Sequence, residues 1–452
     1  MTLLAAVLLS ATPLAEPRVS PADELRCALA DLTTHVAPDE RCQTRYVSLA
    51  ALPATERAAA RDVLSFVLNS VSRSATIIIP DVVPDSADRL LRISLSRYGW
   101  PAELWEALVA DEPYWHLRTV VKDPATGKPT EVFTDGGWVG LEAAAQLRAV
   151  SLSSGAIVRG DWLVARLAAP PQYYRFADVP EDEADFFALL GLDLDAILRL
   201  RADRGANMIR SNVTRQVRRL VRRQTPLGGA WQTYDVAVSS AERDPIRNLF
   251  DFAYDAGEHI ATKPNGLHYF ALYDAEGRRQ DAVPPDVARD ASEPLGDGQV
   301  VPMISCVRCH EESGLRPFTN DQRTLLRGGV ELFTVQPEDA ERLASFYDRD
   351  LGKQLQRDRE DYDEAVAKLT AVLEPSEVAP ALAALFRRYA YELVSLERAA
   401  DELGVTVGEA ARRLRASHDP LLLALVEGLS VQREQWEASF AAAAILTAGE
   451  QP

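Results

Sequence analysis

Two stretches of the chain carry apolar residues at the spacing of an α-helix. In residues 56–71, one face is formed by Val63, Phe66, Val67 and Val71. Residues 379–404 show the same spacing, at Leu382, Phe386, Tyr389, Leu393 and Leu396. Both patterns predict amphipathic helices. From about Gln336 onward such patterns follow one another through short connections, which predicts an all-α, bundle-like region.

Alternation of apolar and polar residues predicts strands elsewhere. In residues 89–100, Leu91, Ile93 and Leu95 share one side, as in a half-buried strand. Residues 258–279 hold two further runs on either side of a Pro-Asn-Gly sequence, which has strong turn chemistry. This predicts a small antiparallel hairpin. Together with the helices, it predicts an α+β fold that is mainly α.

The turn type decides whether the two histidines of this hairpin share a face. If Asn265-Gly266 form a two-residue loop, His259 and His268 lie on the same face of the sheet. If the turn is centred on Pro264-Asn265 with Gly266 left-handed, the pairing shifts by one residue and the two histidines face opposite sides. Proline favours the second arrangement, which is therefore our prediction.

Composition narrows the class of protein. At 452 residues the chain is long enough for two or three domains, and 47% of its residues are hydrophobic, which is ample for packed cores. The formal net charge of −18 at pH 7 argues against nucleic-acid binding, because phosphates are neutralised by basic surfaces. An acidic surface favours solubility and a basic protein partner.

The first residues resemble an export signal. A short apolar run at residues 3–9 is followed by small and then polar residues, although an early Lys or Arg is lacking. A frayed N-terminal helix is the alternative. Later segments fall short of the ~18–20 apolar residues that a membrane span needs. We therefore expect an exported, periplasmic or otherwise extracytoplasmic protein with no integral membrane span after the leader.

Export changes the interpretation of two of the four cysteines. Cys27 and Cys42 lie 15 positions apart, and in an oxidising compartment we expect them to form a disulfide. On the chain-entropy model, a disulfide that closes a loop of that size adds about 3 kcal/mol to the free energy of unfolding. Two buried thiols are the alternative.

The most informative pattern is Cys306-Val307-Arg308-Cys309-His310, which matches C-x-x-C-H, the attachment pattern of c-type haem. Two thiols about one helical turn apart can each form a thioether with a vinyl group of the porphyrin, and the adjacent histidine supplies the proximal axial ligand of the iron. A zinc site, a redox-active dithiol and a structural disulfide are the alternatives. Zinc needs about four protein ligands, and a structural disulfide leaves His310 unexplained.

The segments around this motif resemble a family of exported bacterial proteins with a single-haem c-type cytochrome domain. The resemblance rests on "GEHIATKPNGLHYFALYDAEGRR", on "ISCVRCHEESGLRPF", on an upstream "SNVTRQVRRLVRRQTPLGGAWQTYD" and on a late "VQREQWEASF". It covers most of residues 205–320 and, more loosely, the helical tail. It implies haem and iron binding with electron transfer, and it implies no substrate.

The sixth iron ligand decides the chemistry, since a saturated iron suits electron transfer and an open position binds peroxide or small gases. Small c-type cytochromes supply a methionine after the motif, but the methionines here are Met1, Met208 and Met303, all before His310. His259 is our tentative distal ligand. Met208 and a five-coordinate iron remain open as alternatives.

Several further residues are candidates for contacts with the haem. The Pro317 carbonyl could accept the proximal imidazole N–H as a hydrogen bond. Arginines that could neutralise the propionates are Arg308, Arg316 and Arg323. Aromatic residues that could wall the porphyrin are Phe318, Tyr269 and Phe270.

These observations predict one covalent haem c and four segments of the chain. They are a signal peptide (1–15), a mixed α/β region of unknown role (16–200), a c-type haem-binding region (201–335) and a helical region (336–452). We expect electron transfer outside the cytoplasm with a redox partner protein. A haem enzyme with an open, peroxidase-like iron site and a haem-based sensor or scaffold are the alternatives. The chain has no G-x-S-x-G, H-E-x-x-H or Walker-type sequence, so no catalytic residue is assigned.

Overall fold

Helices predominate over strands in the described part of the chain, which confirms the predicted α+β, mainly α class. The computed structural model describes residues 21–115, 117–122, 129–134, 142–200, 202–211, 213–250, 252–327, 337–347 and 351–448. The predicted signal peptide lies outside these residues.

The secondary-structure elements alternate in the first half of the chain and are all helical near its end. The strands are β1 (Thr44–Ser48), β2 (Asp81–Val82), β3 (Leu90–Ser94), β4 (Leu117–Lys122), β5 (Pro129–Thr134), β6 (Ile157–Arg159), β7 (Arg204–Met208), β8 (Arg218–Thr225), β9 (Gly228–Asp235), β10 (Ala256–Thr262) and β11 (His268–Asp274). The helices are α1 (Pro21–Thr34), α2 (Ala54–Ser70), α3 (Leu95–Tyr98), α4 (Ala102–Val109), α5 (Glu142–Ser151), α6 (Gly160–Leu167), α7 (Gln172–Ala177), α8 (Glu183–Leu189), α9 (Leu194–Leu200), α10 (Ile304–Cys309), α11 (Asp321–Arg327), α12 (Pro337–Tyr347), α13 (Gly352–Ala367), α14 (Pro375–Ala390), α15 (Leu396–Glu402), α16 (Val407–Leu414), α17 (Pro420–Val426) and α18 (Arg433–Ala448).

The N-terminal region contains a mixed sheet in the order β2-β3-β1-β6, in which only the β1–β6 pair is parallel. The predicted helix over residues 56–71 is α2, and its apolar face is buried. The strand predicted over residues 89–100 is correct for Leu91 and Ile93 but ends at Ser94. Leu95 instead begins the short helix α3, because the N–H groups of Gly99 and Trp100 turn back onto the carbonyl oxygens of Ser96 and Leu95.

A five-stranded antiparallel meander in the order β11-β10-β9-β8-β7 forms the centre of the chain. Its last hairpin, β10–β11, pairs Thr262 with His268. The Gly266 N–H donates to the Lys263 carbonyl oxygen at 3.0 Å, so the turn is centred on Pro264-Asn265 as predicted. His259 and His268 therefore lie on opposite faces of the sheet, which confirms that prediction.

Helices α12 to α18 confirm the predicted helical region. Leu382, Phe386 and Tyr389 are buried in α14, which ends at Ala390, whereas Leu393 is 48% exposed in the connection that follows. Helix α16 begins with Thr406 as its N-cap, since the Thr406 hydroxyl accepts a hydrogen bond from the Glu409 N–H at 3.2 Å.

The largest hydrophobic core draws on all parts of the chain. It includes Val67 and Trp162 from the N-terminal region, Phe270 from the meander, and Leu382 and Trp436 from the C-terminal helices. Helix α14 contacts α2, α6 and α10. The helix that carries Cys306 and Cys309 is therefore packed directly against the C-terminal helical region.

The loop at residues 290–299 is exposed only in part. Leu295 is 57% exposed, but Asp290 and Glu293 are buried. Glu293 accepts hydrogen bonds from Arg387 of α14 at 3.0 and 3.1 Å. These buried carboxylates fix the chain just before α10, which is why the loop is not wholly solvated.

Cys27 and Cys42 are free thiols in the structure, so the expected disulfide between them is not formed there. Cys27 packs against the main core. The Cys42 sulfur lies 3.8 Å from the Asp39 carbonyl oxygen. The bridge stays a prediction.

Of the helices in the described ranges, none combines the length and the apolar character needed to cross a membrane.

Candidate haem-binding site

The Cys306–His310 segment lies on the short helix α10. The Ile304 N–H donates to the Ala168 carbonyl oxygen at 3.1 Å, which anchors the start of the helix, and the His310 N–H donates to the Cys306 carbonyl oxygen at 2.8 Å. Cys306 and Cys309 are therefore one helical turn apart, with His310 directly after them. Two thioethers and one iron ligand need this arrangement.

Both thiols are free, and their surroundings keep them protonated. Burial raises the pKa of Cys306 and of Cys309, and the nearby Glu258 carboxylate raises both further. Redox-active C-x-x-C pairs instead have a lowered thiol pKa. The electrostatics of the site therefore do not favour the dithiol alternative.

The zinc alternative requires about four protein ligands. Among the described residues, no group of three or more His, Cys, Asp and Glu side chains comes together in a way that could hold a metal ion.

A cavity of about 750 Å³ borders Cys309 and His310. It lies between these two residues, the segment 315–319 and one face of the meander. Its volume falls within the ~300–1,000 Å³ that is typical of cofactor pockets. The apolar part of its lining consists of Leu220, Trp231, Ile260, Leu315, Phe318 and Leu355. A cavity of this size and lining fits a large, mostly apolar group bound next to the C-x-x-C-H segment.

Helix α13 closes the cavity at the side of Leu355. It is held to the sheet by Asp358, whose carboxylate accepts hydrogen bonds from Arg222 at 3.0 and 3.1 Å and from the Trp231 indole N–H at 2.8 Å. All three side chains are buried. A buried ion pair with an added indole donor fixes this wall, because loss of either charged partner would leave the other unpaired in the interior.

His310 has the protonation state of a metal ligand. Burial lowers the pKa of His310 to about 3, and the positive charges of Arg218 and Arg316 lower it as well. The imidazole is therefore neutral at neutral pH, which is the form that coordinates metals. Its Nδ1 atom is buried and has no hydrogen-bond partner among the described residues. Pro317 lines the same cavity, but the predicted hydrogen bond from the His310 imidazole to the Pro317 carbonyl oxygen is not formed.

Met208, the last residue of β7, lines the same cavity as His310. Its side chain is 9% exposed and packs in an apolar cluster with Leu220 and Trp231. The sequence left Met208 open as an iron ligand, and the structure brings it to the site. Met303 is fully buried in the main core instead.

His259 lies on the opposite face of the meander from this cavity. Its Nε2 atom is 2.9 Å from the Glu183 carboxylate and 3.2 Å from the Gln232 amide nitrogen. The cavity is lined instead by its neighbours Glu258 and Ile260. Successive side chains of a strand point to opposite faces. The choice of His259 as the tentative distal iron ligand is therefore corrected: the structure does not bring it to Cys309 and His310.

His268 is the hairpin histidine that lies near His310. Its ring stacks on Tyr362 with 4.4 Å between centroids, and its Cε1 atom would be 2.9 Å from a Cβ at Gly314. Burial lowers the pKa of His268 to about 3, and His310 contributes to this shift. His268 therefore packs against Gly314, in the segment that follows His310.

Of the three arginines predicted to face the haem, Arg316 is the one that borders the cavity, and it is exposed to solvent. Arg308 is buried in ion pairs with Asp290 at 2.5 Å and with Glu293 at 3.6 Å. Arg323 lies on α11 and is not among the described residues that border the cavity. Arg308 therefore holds α10 in place through the preceding loop.

Of the three aromatic candidates, Phe318 lines the cavity, with its ring centroid 6.0 Å from that of Trp231. Tyr269 and Phe270 are buried in the main core. Tyr269 lies on the opposite face of the hairpin from Ile260, whereas Phe270 pairs with Ile260 and shares its face without being among the described lining residues.

Arg218 and Glu258 are charged residues of the lining that the sequence analysis missed. Buried Arg218 pairs with Glu258 at 2.8 Å and donates to Asp235 at 2.7 and 2.5 Å. These carboxylates raise the pKa of Arg218 above its usual value despite its burial. Strand alternation in the sequence "RRLVRR" (residues 218–223) places Arg218 and Leu220 on one face, and this signal could have identified the arginine.

Comparison of the chain with known protein families, with curated proteins and with solved structures gave no match.

Proposed function

We propose that this chain is a covalent c-type haem protein that transfers electrons outside the cytoplasm. The observation that carries the proposal is the position of the C-x-x-C-H segment. It lies on a short helix beside a cavity of about 750 Å³, with Met208 in the lining of the same cavity. A motif that occurs by chance has no reason to border a cavity of cofactor size.

Cys306 and Cys309 would hold the haem through thioethers, and His310 would bind its iron. Covalently attached haem supplies a one-electron Fe(III)/Fe(II) couple. Met208 is our candidate for the sixth ligand, which replaces His259. Leu220, Trp231 and Leu355 give Met208 an apolar surrounding, and the apolar residues around a metal centre tune its reduction potential.

Charged residues at the cavity would interact with the haem propionates. Arg210 and Arg316 are exposed lining residues that can neutralise carboxylates at the cavity mouth. Arg218 is already engaged by Asp235 and Glu258. We therefore propose Arg210 and Arg316 as the propionate partners, in place of Arg308 and Arg323.

A pyridine haemochrome spectrum of the purified, exported protein tests the cofactor. We expect the absorption of haem held by two thioethers and a mass above that of the polypeptide. Cys306→Ala should leave a single thioether, and the double variant Cys306→Ala/Cys309→Ala should contain no covalent haem. The matched control is Cys27→Ala/Cys42→Ala, which should keep the full haem content. Colourless wild-type protein from cells that mature c-type cytochromes would refute the proposal.

Met208→Leu tests the sixth ligand. This change keeps the volume of the side chain, so packing should cost less than about 1.5 kcal/mol. The reduced wild-type protein should not bind carbon monoxide, and reduced Met208→Leu should bind it, because leucine cannot ligate iron. The control is Leu355→Val, which alters the same cavity lining but leaves the sulfur of Met208 in place.

Two results would contradict the assignment of Met208. Carbon monoxide binding by the wild-type protein would show an open iron and favour a haem enzyme over an electron carrier. Identical spectra of wild type and Met208→Leu, with no carbon monoxide bound by either, would assign the sixth position to another residue.

Export and a redox partner belong to the same proposal. The C-x-x-C-H segment and the N-terminal apolar run both fit an extracytoplasmic protein. The net charge of −18 favours a basic partner protein, with association that weakens as salt rises. Fractionation of cells that express the full chain tests the location, and cytoplasmic haem-free protein as the sole product would contradict it.

A further inference from the structure

A second cavity, of about 560 Å³, lies on the other face of the meander. Arg219, Val221 and Arg223 of β8 line it, whereas Arg218 and Leu220 of the same strand line the candidate haem cavity. One layer of sheet therefore separates the two cavities. The volume of the second cavity also falls within the ~300–1,000 Å³ of small-molecule sites.

Aromatic rings form much of the lining of this second cavity. The Tyr234 ring lies 4.7 Å from that of Tyr254 and 6.3 Å from that of Phe252, measured between centroids. Phe250 and Phe346 complete the aromatic lining among the described residues. Such rings offer edges and faces against which another planar ring can pack.

The charge of the lining is opposite to that of the whole chain. The described lining residues include Arg219, Arg223 and Arg342, against the single carboxylate of Asp203. The chain carries a net charge of −18. A concentration of positive charge in a concave site of an acidic protein favours anions at that site.

Two of these arginines have guanidinium groups that form no ion pair with a carboxylate of the described residues. Arg342 is exposed on α12, and its guanidinium carbon lies 4.0 Å from the Phe250 ring centroid. Arg223 donates to the Gln232 side-chain oxygen at 2.5 Å, and its Nε atom is buried with no hydrogen-bond partner among the described residues. Within the described ranges, neither guanidinium forms an ion pair. A planar guanidinium beside aromatic rings suits a carboxylate carried on a ring.

We propose that this second cavity binds a small aromatic carboxylate, with its ring among the tyrosine and phenylalanine side chains and its carboxylate at Arg342 and Arg223. The site needs no haem, since the meander separates it from the C-x-x-C-H segment. The inference therefore stands apart from the proposed function.

Isothermal titration calorimetry of the full-length protein with 2-naphthoate tests this inference, with 2-naphthamide as a neutral probe of the same shape. We expect 2-naphthoate to bind about tenfold or more tightly than 2-naphthamide, because only the carboxylate forms charge-assisted hydrogen bonds. Arg342→Gln should weaken 2-naphthoate binding by about tenfold and leave 2-naphthamide binding unchanged. Arg342 is exposed, so this variant is expected to fold.

Controls separate this site from general anion binding and from the haem. Arg412→Gln removes an exposed arginine from α16 and should leave 2-naphthoate binding unchanged. Cys306→Ala/Cys309→Ala should still bind 2-naphthoate, so the two proposals can fail separately. The inference is overturned if wild type does not bind 2-naphthoate, if 2-naphthamide binds equally well, or if Arg342→Gln and Arg223→Gln both bind 2-naphthoate like wild type.

Discussion

Gly314 offers the sharpest structural test of the candidate haem-binding segment. It has a φ of +69°, and its N–H donates to the His310 carbonyl oxygen at 3.1 Å. A Cβ at this position would lie 2.9 Å from His268 Cε1 and 2.9 Å from both Cδ1 and Cε1 of Tyr362. Gly314→Ala therefore forces a strained backbone and pushes the stacked His268 and Tyr362 rings apart.

The expected loss of stability has two parts. A non-glycine residue at such a φ costs about 1–3 kcal/mol, and overpacking against two buried rings costs about 1–3 kcal/mol more. Gly428→Ala isolates the first part, because Gly428 has a φ of +88° and its Cβ would meet nothing within 4 Å. Gly408→Ala involves neither part and should stabilise α16 by about 0.5–1 kcal/mol.

Denaturant unfolding of the three variants, followed by tryptophan fluorescence, measures the difference. Gly314→Ala should be less stable than Gly428→Ala by the packing part, about 1–3 kcal/mol. Under the proposed function, Gly314→Ala should also lower the haem content of the purified protein, since the displaced rings pack against the chain that follows His310, whereas Gly428→Ala should not. Equal destabilisation by Gly314→Ala and Gly428→Ala would refute the packing described at Gly314.

Two further predictions concern buried carboxylates of the N-terminal region. Burial raises the pKa of Glu24 from 4.5 to about 7. Burial lowers the pKa of His268 and of His310 to about 3, so these two groups make stability rise with pH up to about 6.5. Glu24 acts in the opposite direction: between 4.5 and about 7 the folded protein holds a proton on Glu24 that the unfolded chain releases, so the Glu24 contribution to stability falls as the pH rises. Glu24→Gln should remove this dependence and be more stable than wild type above the window, by at most about 3 kcal/mol; parallel pH dependences of the two proteins would contradict it. Asp62 accepts hydrogen bonds from three backbone N–H groups, those of Ala371, Val372 and Leu373, at 2.9, 2.8 and 3.0 Å. In thermal unfolding, Asp62→Ala should destabilise the protein by about 3–5 kcal/mol. Asp62→Asn should destabilise it by less, because asparagine keeps an acceptor oxygen. An Asp62→Ala variant as stable as wild type would show that these contacts contribute little.

Local features of the fold could be predicted because they depend on neighbouring residues. The turn at Pro264-Asn265 and the N-cap at Thr406 follow from side chains within a few positions. The hairpin register follows in turn from the turn type. The C-x-x-C-H segment could likewise be identified without any tertiary contact.

The rest of the site depends on which face of the meander meets α10, and no local pattern contains that information. The correct register placed His259 and His268 on opposite faces but did not say which face lies next to His310. The proximity of Met208 to His310 joins residues about a hundred positions apart. Arg308 illustrates the same limit, since its partners Asp290 and Glu293 lie 18 and 15 positions before it in the chain.

Side chains of strand β8 point alternately to the two faces of the sheet, so the register of this one strand determines the lining of both cavities. Its even-numbered residues from Arg218 to Leu220 border one cavity, and its odd-numbered residues from Arg219 to Arg223 border the other. Insertion or deletion of one residue in this strand would exchange the two linings and place Arg219 where Leu220 belongs. We therefore expect related chains to vary the length of the β8–β9 turn in preference to the length of β8 itself.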